Sequence, residues 1–432
     1  MRLVDEIARK HHYIGIEGHR TTRPDIAGLA PPAWVYDGPV YAVFVRAFSE
    51  AGTLAGVRER IGELKSLGIK TIWLLPIHPI GKLNRKGSYG SPYAIKDHAT
   101  IDTSLGKPAD LRDLISVAHD NGMRIILDFV GNHAARDHIH PALLKKNNMR
   151  SHADWTDVAD FDFSLPEAHR YLRDALFYWI EYFDIDGYRC DVAGLVPDEF
   201  WQEVTGKLLD IRPDIFMLAE WQRPDLHERF FHGSYDWVLY LILKEIRNNQ
   251  RPPGDIIHWE KEKDAIYPGA ALLLRFTENH DLPRTIDVFG RDKFPAFAGL
   301  PYCLNGLPLI YAGQEWGIGC LPDLFDRDPV PWRDGDQTVY RFYRRLIALR
   351  KEHPALAQGK IENISCDSEN VLIFRRYDAQ ENLIVVANFG ERTTVVMPVG
   401  YEGVYRDLIS DEHIGPDKLP LERFNLYILK QV

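Results

Sequence analysis

A chain of 432 residues with 45% hydrophobic, 12% aromatic and 26% charged side chains carries enough apolar material for a large core, and its length fits two or three domains. The formal net charge of −10 opposes the counterion release that drives nucleic-acid binding, and no apolar run is long enough to span a bilayer, so neither a nucleic acid nor a membrane is expected as partner. The amino-terminal residues show no secretory stretch, and Cys190, Cys303, Cys320 and Cys366 are widely spaced, which argues against a disulfide framework or a zinc site and for a reducing cytoplasm.

The first 38 residues, ending in Ala-Pro-Pro-Ala-Trp-Val, read as an arm made of a helix and an extended piece. From about residue 39 the pattern alternates between helical and strand-like periodicity, as a parallel sheet covered by helices requires. Strands are expected at Val40 to Arg46, Ile69 to Leu75, Arg124 to Val130, Gly187 to Val192, Ile215 to Glu220, Ala271 to Thr277 and Leu307 to Tyr311, with a weaker one near Tyr235 to Leu239. Helical spacing falls between them: Leu54, Val57, Ile61, Leu64 and Leu67 before Gly68, then Leu111 to Ala118, Glu167 to Phe183, and Asp198 to Ile211. Eight such units close into a (β/α)8 barrel.

The stretch 134–166 is too long for a plain loop and rich in His, Asp and Asn; it is expected to form a small inserted subdomain after the third strand. The barrel is expected over 39–354, closing with a helix from Thr338 to Lys351. Beyond it, over 355–432, short β-rich runs at Asn370 to Tyr377, Leu383 to Phe389, Thr393 to Pro398 and Phe424 to Leu429 predict an antiparallel C-terminal β domain.

Three acids, Asp191, Glu220 and Asp281, follow the fourth, fifth and seventh predicted strands, at the end of a barrel where catalytic groups gather. Arg189 lies two residues before Asp191 and so shares its face of the strand. A guanidinium there is expected to hold Asp191 ionised, while the apolar run before Glu220 is expected to keep that carboxyl protonated. One nucleophilic carboxylate and one proton donor, roughly 5 to 5.5 Å apart, are the equipment of a retaining glycosidase. Lys82, Arg85 and Lys86, after the second strand, read as a solvated basic loop, and His227-Glu228 with His232 lacks the spacing of a zinc protease.

The sequence resembles the α-amylase family, glycoside hydrolase family 13. The likeness rests on Asp128-Phe129-Val130-Gly131-Asn132-His133, Gly187-Tyr188-Arg189-Cys190-Asp191, Ala219-Glu220-Trp221 and Phe276-Thr277-Glu278-Asn279-His280-Asp281, in that order, and runs from about residue 38 to the C-terminus. It implies Asp191 as nucleophile, Glu220 as acid and base, and Asp281 as stabiliser of the transition state. Tyr93, His133, Arg189, Trp221 and His280 would hold the substrate, an α-1,4-linked glucan of starch type or a maltooligosaccharide. No redox or organic cofactor is implied. Asn132 and Asp162 match positions that bind calcium in many members; the alternative is that they only hydrogen-bond the insert to the barrel. Many members carry Lys-His after the nucleophile on the leaving-group side, whereas Gly194-Leu195 stand here. Two other readings stay open: a transglycosylase or isomerase of the same family, of maltosyltransferase or trehalose synthase type, and a carbohydrate-binding protein without catalysis.

Overall fold

The computed structural model describes residues 2–11, 15–17, 25–146, 154–320, 323–415 and 418–432. Its centre is a closed barrel of eight parallel strands: β1 (Val40–Val43), β2 (Thr71–Leu74), β3 (Arg124–Phe129), β4 (Gly187–Cys190), β5 (Phe216–Ala219), β6 (Gly233–Tyr235), β7 (Leu272–Arg275) and β8 (Leu307–Tyr311). Each pairs with its neighbour in the chain, and β1 closes the ring against β8 with Val40 opposite Leu309. The strands are short, mostly aliphatic and buried along nearly their whole length, as expected where one face fills the barrel and the other meets helices. Trp73, Trp179, Trp201 and Trp259 are fully buried, and truncating one of them to Ala would cost about 3–5 kcal/mol.

Helix boundaries follow local chemistry. The Thr53 hydroxyl accepts from the Gly56 amide and starts the helix Leu54–Glu59, while Gly68, at φ +101°, ends the helix Ile61–Leu67. The sixth strand differs from expectation. It ends at Tyr235 rather than running to Leu239, because the Asp236 carboxylate accepts from the Leu239 amide and caps a helix, Trp237–Arg247. The first strand is also shorter than predicted, with a helical turn, Val45–Phe48, taking over.

After β3 the chain makes a two-stranded excursion in which His133–Ala135 pairs antiparallel with Val158–Asp160, so the inserted segment is anchored on the barrel mouth. The N-terminal helix Leu3–His11 buries Leu3, Val4 and Ile7 and is met at its start by Glu262, whose carboxylate accepts from the Leu3 and Val4 amides. At the other end Lys10 and His11 reach Glu245 at 2.5 and 2.8 Å.

The C-terminal part is a six-stranded antiparallel sheet in the order Lys360–Ile364, Val371–Tyr377, Asn382–Asn388, Leu426–Gln431, Tyr405–Asp407 and His413–Ile414. A separate pair joins Thr393–Val396 to Lys418–Leu421. Alternation splits this sheet's residues between two cores. Leu372, Phe374, Val385 and Ile428 join the barrel's core, whereas Ile373, Ile384, Val386 and Leu429 form a second cluster on the far face. Buried Arg376 ties the layers together by donating to the carbonyls of Ala355 and Leu356.

Candidate active site

The site begins with a register match. Asp128 on β3 and Arg189 on β4 are lateral neighbours in the barrel, both completely buried, and Arg189 Nη1 donates to Asp128 Oδ1 at 2.8 Å. The same nitrogen donates to Asp191 Oδ1 at 2.9 Å, and Nη2 lies 2.7 Å from Glu220 Oε1, a close ion pair though poorly aligned for a hydrogen bond. Three carboxylates thus converge on one guanidinium. Two nitrogens of that single group hold Asp191 and Glu220, which keeps both carboxyls at one point of the mouth. Trp73, Tyr93 and Tyr235 surround the cation, with ring centroids at 5.0, 5.6 and 5.7 Å.

Asp191 and Glu220 are the first residues beyond β4 and β5, where the side chains leave the packed barrel for the cleft. Glu220 Oε2 accepts from the Val192 amide at 2.9 Å. Val192 itself has φ +37°, a left-handed conformation that a β-branched residue adopts only under constraint, so the backbone after Asp191 is strained where it meets Glu220. Arg189 does not hold Asp191 at a low pKa, as the sequence suggested. Burial, then the Glu220 carboxylate, push Asp191 well above the usual range and outweigh the guanidinium. Burial likewise pushes Asp128 up to about 6 against the pull of Arg189. Three acids thus share one fixed cation, and Asp191 and Asp128 titrate in concert with their neighbours.

Asp281 lies six residues past the end of β7 and is the open member of the set, its side chain 43% exposed. Its neighbour His280 is buried and pushed down to about 3 by that burial, so the ring is neutral and its approach to Asp281 Oδ2 at 3.2 Å is a polar contact rather than an ion pair. His280 stacks on Tyr93 with centroids 5.5 Å apart, and its Nε2 lies 2.5 Å from the Tyr93 hydroxyl, which donates to Asp128 at 3.2 Å. That chain runs in one direction if Nε2 carries the proton. His133 points toward Asp191 at 3.9 Å and packs against Trp155 of the inserted segment.

Asp191, Glu220, Asp281, Tyr93, His133 and His280 line one cavity of about 510 Å³, within the range of small-molecule sites. Aromatic faces dominate its walls: Tyr93, Trp155, Trp221, Trp237 and Phe325. Such walls suit the apolar faces of sugar rings, with carboxylates and imidazoles placed for hydroxyls. Trp221 borders this cavity yet is only 5% exposed, because its indole is packed between Gly15 and Gly194. A Cβ at Gly194 would lie 2.2 Å from that ring, which is the physical reason a side chain is missing at this position.

Asn132 and Asp162 engage different partners. The Asn132 amide donates toward Asp160 at 3.4 Å, and Lys145 stands 4.0 Å from the other Asp160 oxygen. Asp162 Oδ1 instead accepts from the amide and hydroxyl of Ser164. No group of three or more His, Cys, Asp or Glu among the described residues is gathered as metal ligands. Calcium takes six or more oxygens, and the contacts described for these two side chains are hydrogen bonds.

Several site residues escaped the sequence reading. Asp128 was visible as part of a motif, but its partnership with Arg189 depends on barrel register. Lys86, read as solvated, borders the cavity instead, donating to the Asp154 carbonyl and standing 3.5 Å from Asp157 with the Phe325 ring 5.4 Å away.

A family model described as alpha amylase, catalytic domain, matches residues 43–158 and 144–322. The chain belongs to the alpha-amylase family of glycoside hydrolases. Among the family's curated members it is 30% identical to alpha-amylase MalA of Haloarcula japonica over 411 residues, covering 89% of this chain and 60% of that protein, so it spans well under two thirds of that relative's length. Among solved structures it superposes on an alpha-amylase from Lactobacillus plantarum with a TM-score of 0.84, 31% identity, and coverage of 92% of this chain and 100% of the other. A noncanonic maltogenic alpha-amylase, AmyB, from Thermotoga neapolitana gives the same TM-score at 28% identity, with coverage of 92% and 100%.

Proposed function

We propose that this protein is a retaining hydrolase of α-1,4-linked glucans or maltooligosaccharides, with Asp191 as nucleophile, Glu220 as acid and base, and Asp281 as electrostatic stabiliser. The observation that carries the proposal is the Arg189 guanidinium gripping Asp191 and Glu220 together at the floor of an aromatic-walled cavity. Kinship with alpha-amylases, one of them maltogenic, supports the substrate class.

In the first step Asp191 attacks the anomeric carbon, the bond from that carbon to the leaving oxygen breaks, and the Glu220 carboxyl gives its proton to that oxygen. The ring carries positive charge as the bond breaks, and Asp281, which makes no ion pair with an Arg or Lys among the described residues, faces it. In the second step water gives a proton to Glu220 while its oxygen displaces Asp191, returning both carboxyls to their starting states. Neutral His280 can bind a sugar hydroxyl without opposing the cationic ring, His133 offers a second imidazole beside Asp191, and Tyr93 supplies a stacking face. No step uses calcium. A reducing cytoplasm is the proposed location, supported by four cysteines that are all free thiols. Among the described residues no helix is long and apolar enough to cross a membrane.

The test is incubation with maltoheptaose, with products separated and the first-formed anomer read by NMR. Shorter products carrying the α anomer are expected; longer products would favour a transferase, and a β anomer would overturn retention. Asp191→Ala and Glu220→Gln should abolish turnover with the fold intact.

A further inference from the structure

The N-terminal segment reaches the catalytic loop from far away in sequence. Directly after Glu220, Trp221 Nε1 donates to Glu17 Oε1 at 2.7 Å. Gln222 then pairs with this segment as a strand would: its amide donates to the Gly15 carbonyl at 2.5 Å, and its carbonyl accepts from the Glu17 amide at 2.8 Å. Gly15 has φ +93°, and a Cβ there would stand 3.1 Å from the Trp221 ring, so the backbone itself covers one face of the indole. Gly194, from the loop after Asp191, approaches the pyrrole part of the same indole. Trp221 is therefore a wedge between the segment carrying Glu17 and the loop following the nucleophile.

The helix Leu3–His11 is fixed at its start by Glu262 and at its end by Glu245, which is held down at about 2 because bonds from Lys10, Arg251 and His11 outweigh its burial. His11, at the end of that helix, borders the catalytic cavity. On the other side Gln222 is completely buried, its side chain joined to Asp236 and the Val238 amide.

We infer that residues 15–17 form a positioning clamp for Glu220, acting through Trp221 and Gln222. Glu220 faces the leaving oxygen, so whatever fixes its loop sets the angle of proton delivery, and Gly194-Leu195 leave that side without the Lys-His pair common in the family. Glu17 reaches the reacting groups through Trp221 and is therefore a positioning residue.

The inference rests on the proposed mechanism, and a substrate pair separates the two. Maltotriose needs a proton on its leaving oxygen, whereas α-maltosyl fluoride expels fluoride with little acid help, and kcat/KM on each reports the step that forms the covalent intermediate. For Glu17→Ala, kcat/KM on maltotriose should fall about tenfold or more while that on the fluoride changes less than about twofold, since misplacing a proton donor affects only the step that uses it. Glu17→Gln, which keeps an acceptor oxygen for the indole N–H, should restore most of the loss. Equal losses on both substrates, or no loss on maltotriose, would overturn the clamp. A wild-type protein inactive on both would overturn the hydrolase reading instead.

Discussion

Arg189 Nη1 donates to Asp191 Oδ1 at 2.9 Å, from a position two residues earlier on the same strand. The contact follows from strand periodicity, but its consequence is set by the neighbours, since the same guanidinium serves Asp128 and Glu220. One planar cation with several fixed donors can do this; an ammonium cannot.

Replacing Arg189 with Met should therefore damage fold and activity together. It strands Asp128, which is wholly buried, and removing one partner of such a pair costs about 3–5 kcal/mol. Arg189→Lys keeps the charge but cannot span three carboxylates, so its kcat/KM should fall by about two orders of magnitude or more, with a smaller loss of stability. Denaturant unfolding and steady-state kinetics on the same samples check both.

The pH profile should reveal the crowded acids. Asp191 must be ionised to attack, and burial with the Glu220 charge raises it well above the ordinary range. Its protonated, inactive form is therefore favoured as pH falls, and the acid limb of kcat/KM should lie above the usual carboxylate range. Glu220→Gln removes the repelling charge, so the limb measured with α-maltosyl fluoride should move to lower pH.

Gly194→Ala tests the wedge from the other side. The added methyl carbon would stand 2.2 Å from Trp221, and relieving such overpacking costs about 1–3 kcal/mol. Lower melting temperature and a reduced kcat/KM on maltotriose are expected.

Tyr93→Phe separates ring from hydroxyl. Stacking on His280 is kept, while the hydroxyl joining His280 to Asp128 is lost. Stripping one hydrogen bond from a buried, charged site costs about 1.5–3 kcal/mol, so kcat/KM should fall by roughly one to two orders of magnitude. Tyr93→Ala should cost more.

Glu315 offers a test confined to stability. Burial raises its carboxyl to about 7, with the Tyr41 hydroxyl donating to it at 2.7 Å. A raised carboxyl means that the folded state binds the extra proton, so the contribution is complete below the unfolded value near 4.5 and is lost as pH rises through about 7. Glu315→Gln should flatten this part of the stability profile, as urea unfolding at a series of pH values would show.

The barrel was legible because each βα unit repeats a local pattern, and the acids because each interrupts or follows an apolar run. Asp236 shows the limit: its cap turns residues 237 to 239 into a helix that β-propensity assigned to a strand. Asp128 and Arg189 meet only through register between β3 and β4, and Lys86 meets Asp157 only because the inserted segment folds back over the mouth. The attachment of Glu17 to Trp221 spans 204 positions, and no local spacing encodes it.

Three carboxylates around one guanidinium put more acidic groups than cations at the cleft floor. A neutral sugar gains little from that field, whereas a ring-shaped amine, cationic at neutral pH, would imitate the charge borne only fleetingly by substrate. Nitrogen-containing sugar mimics should therefore be tight inhibitors, and raising the ionic strength should weaken them only modestly, because the charges they meet are buried.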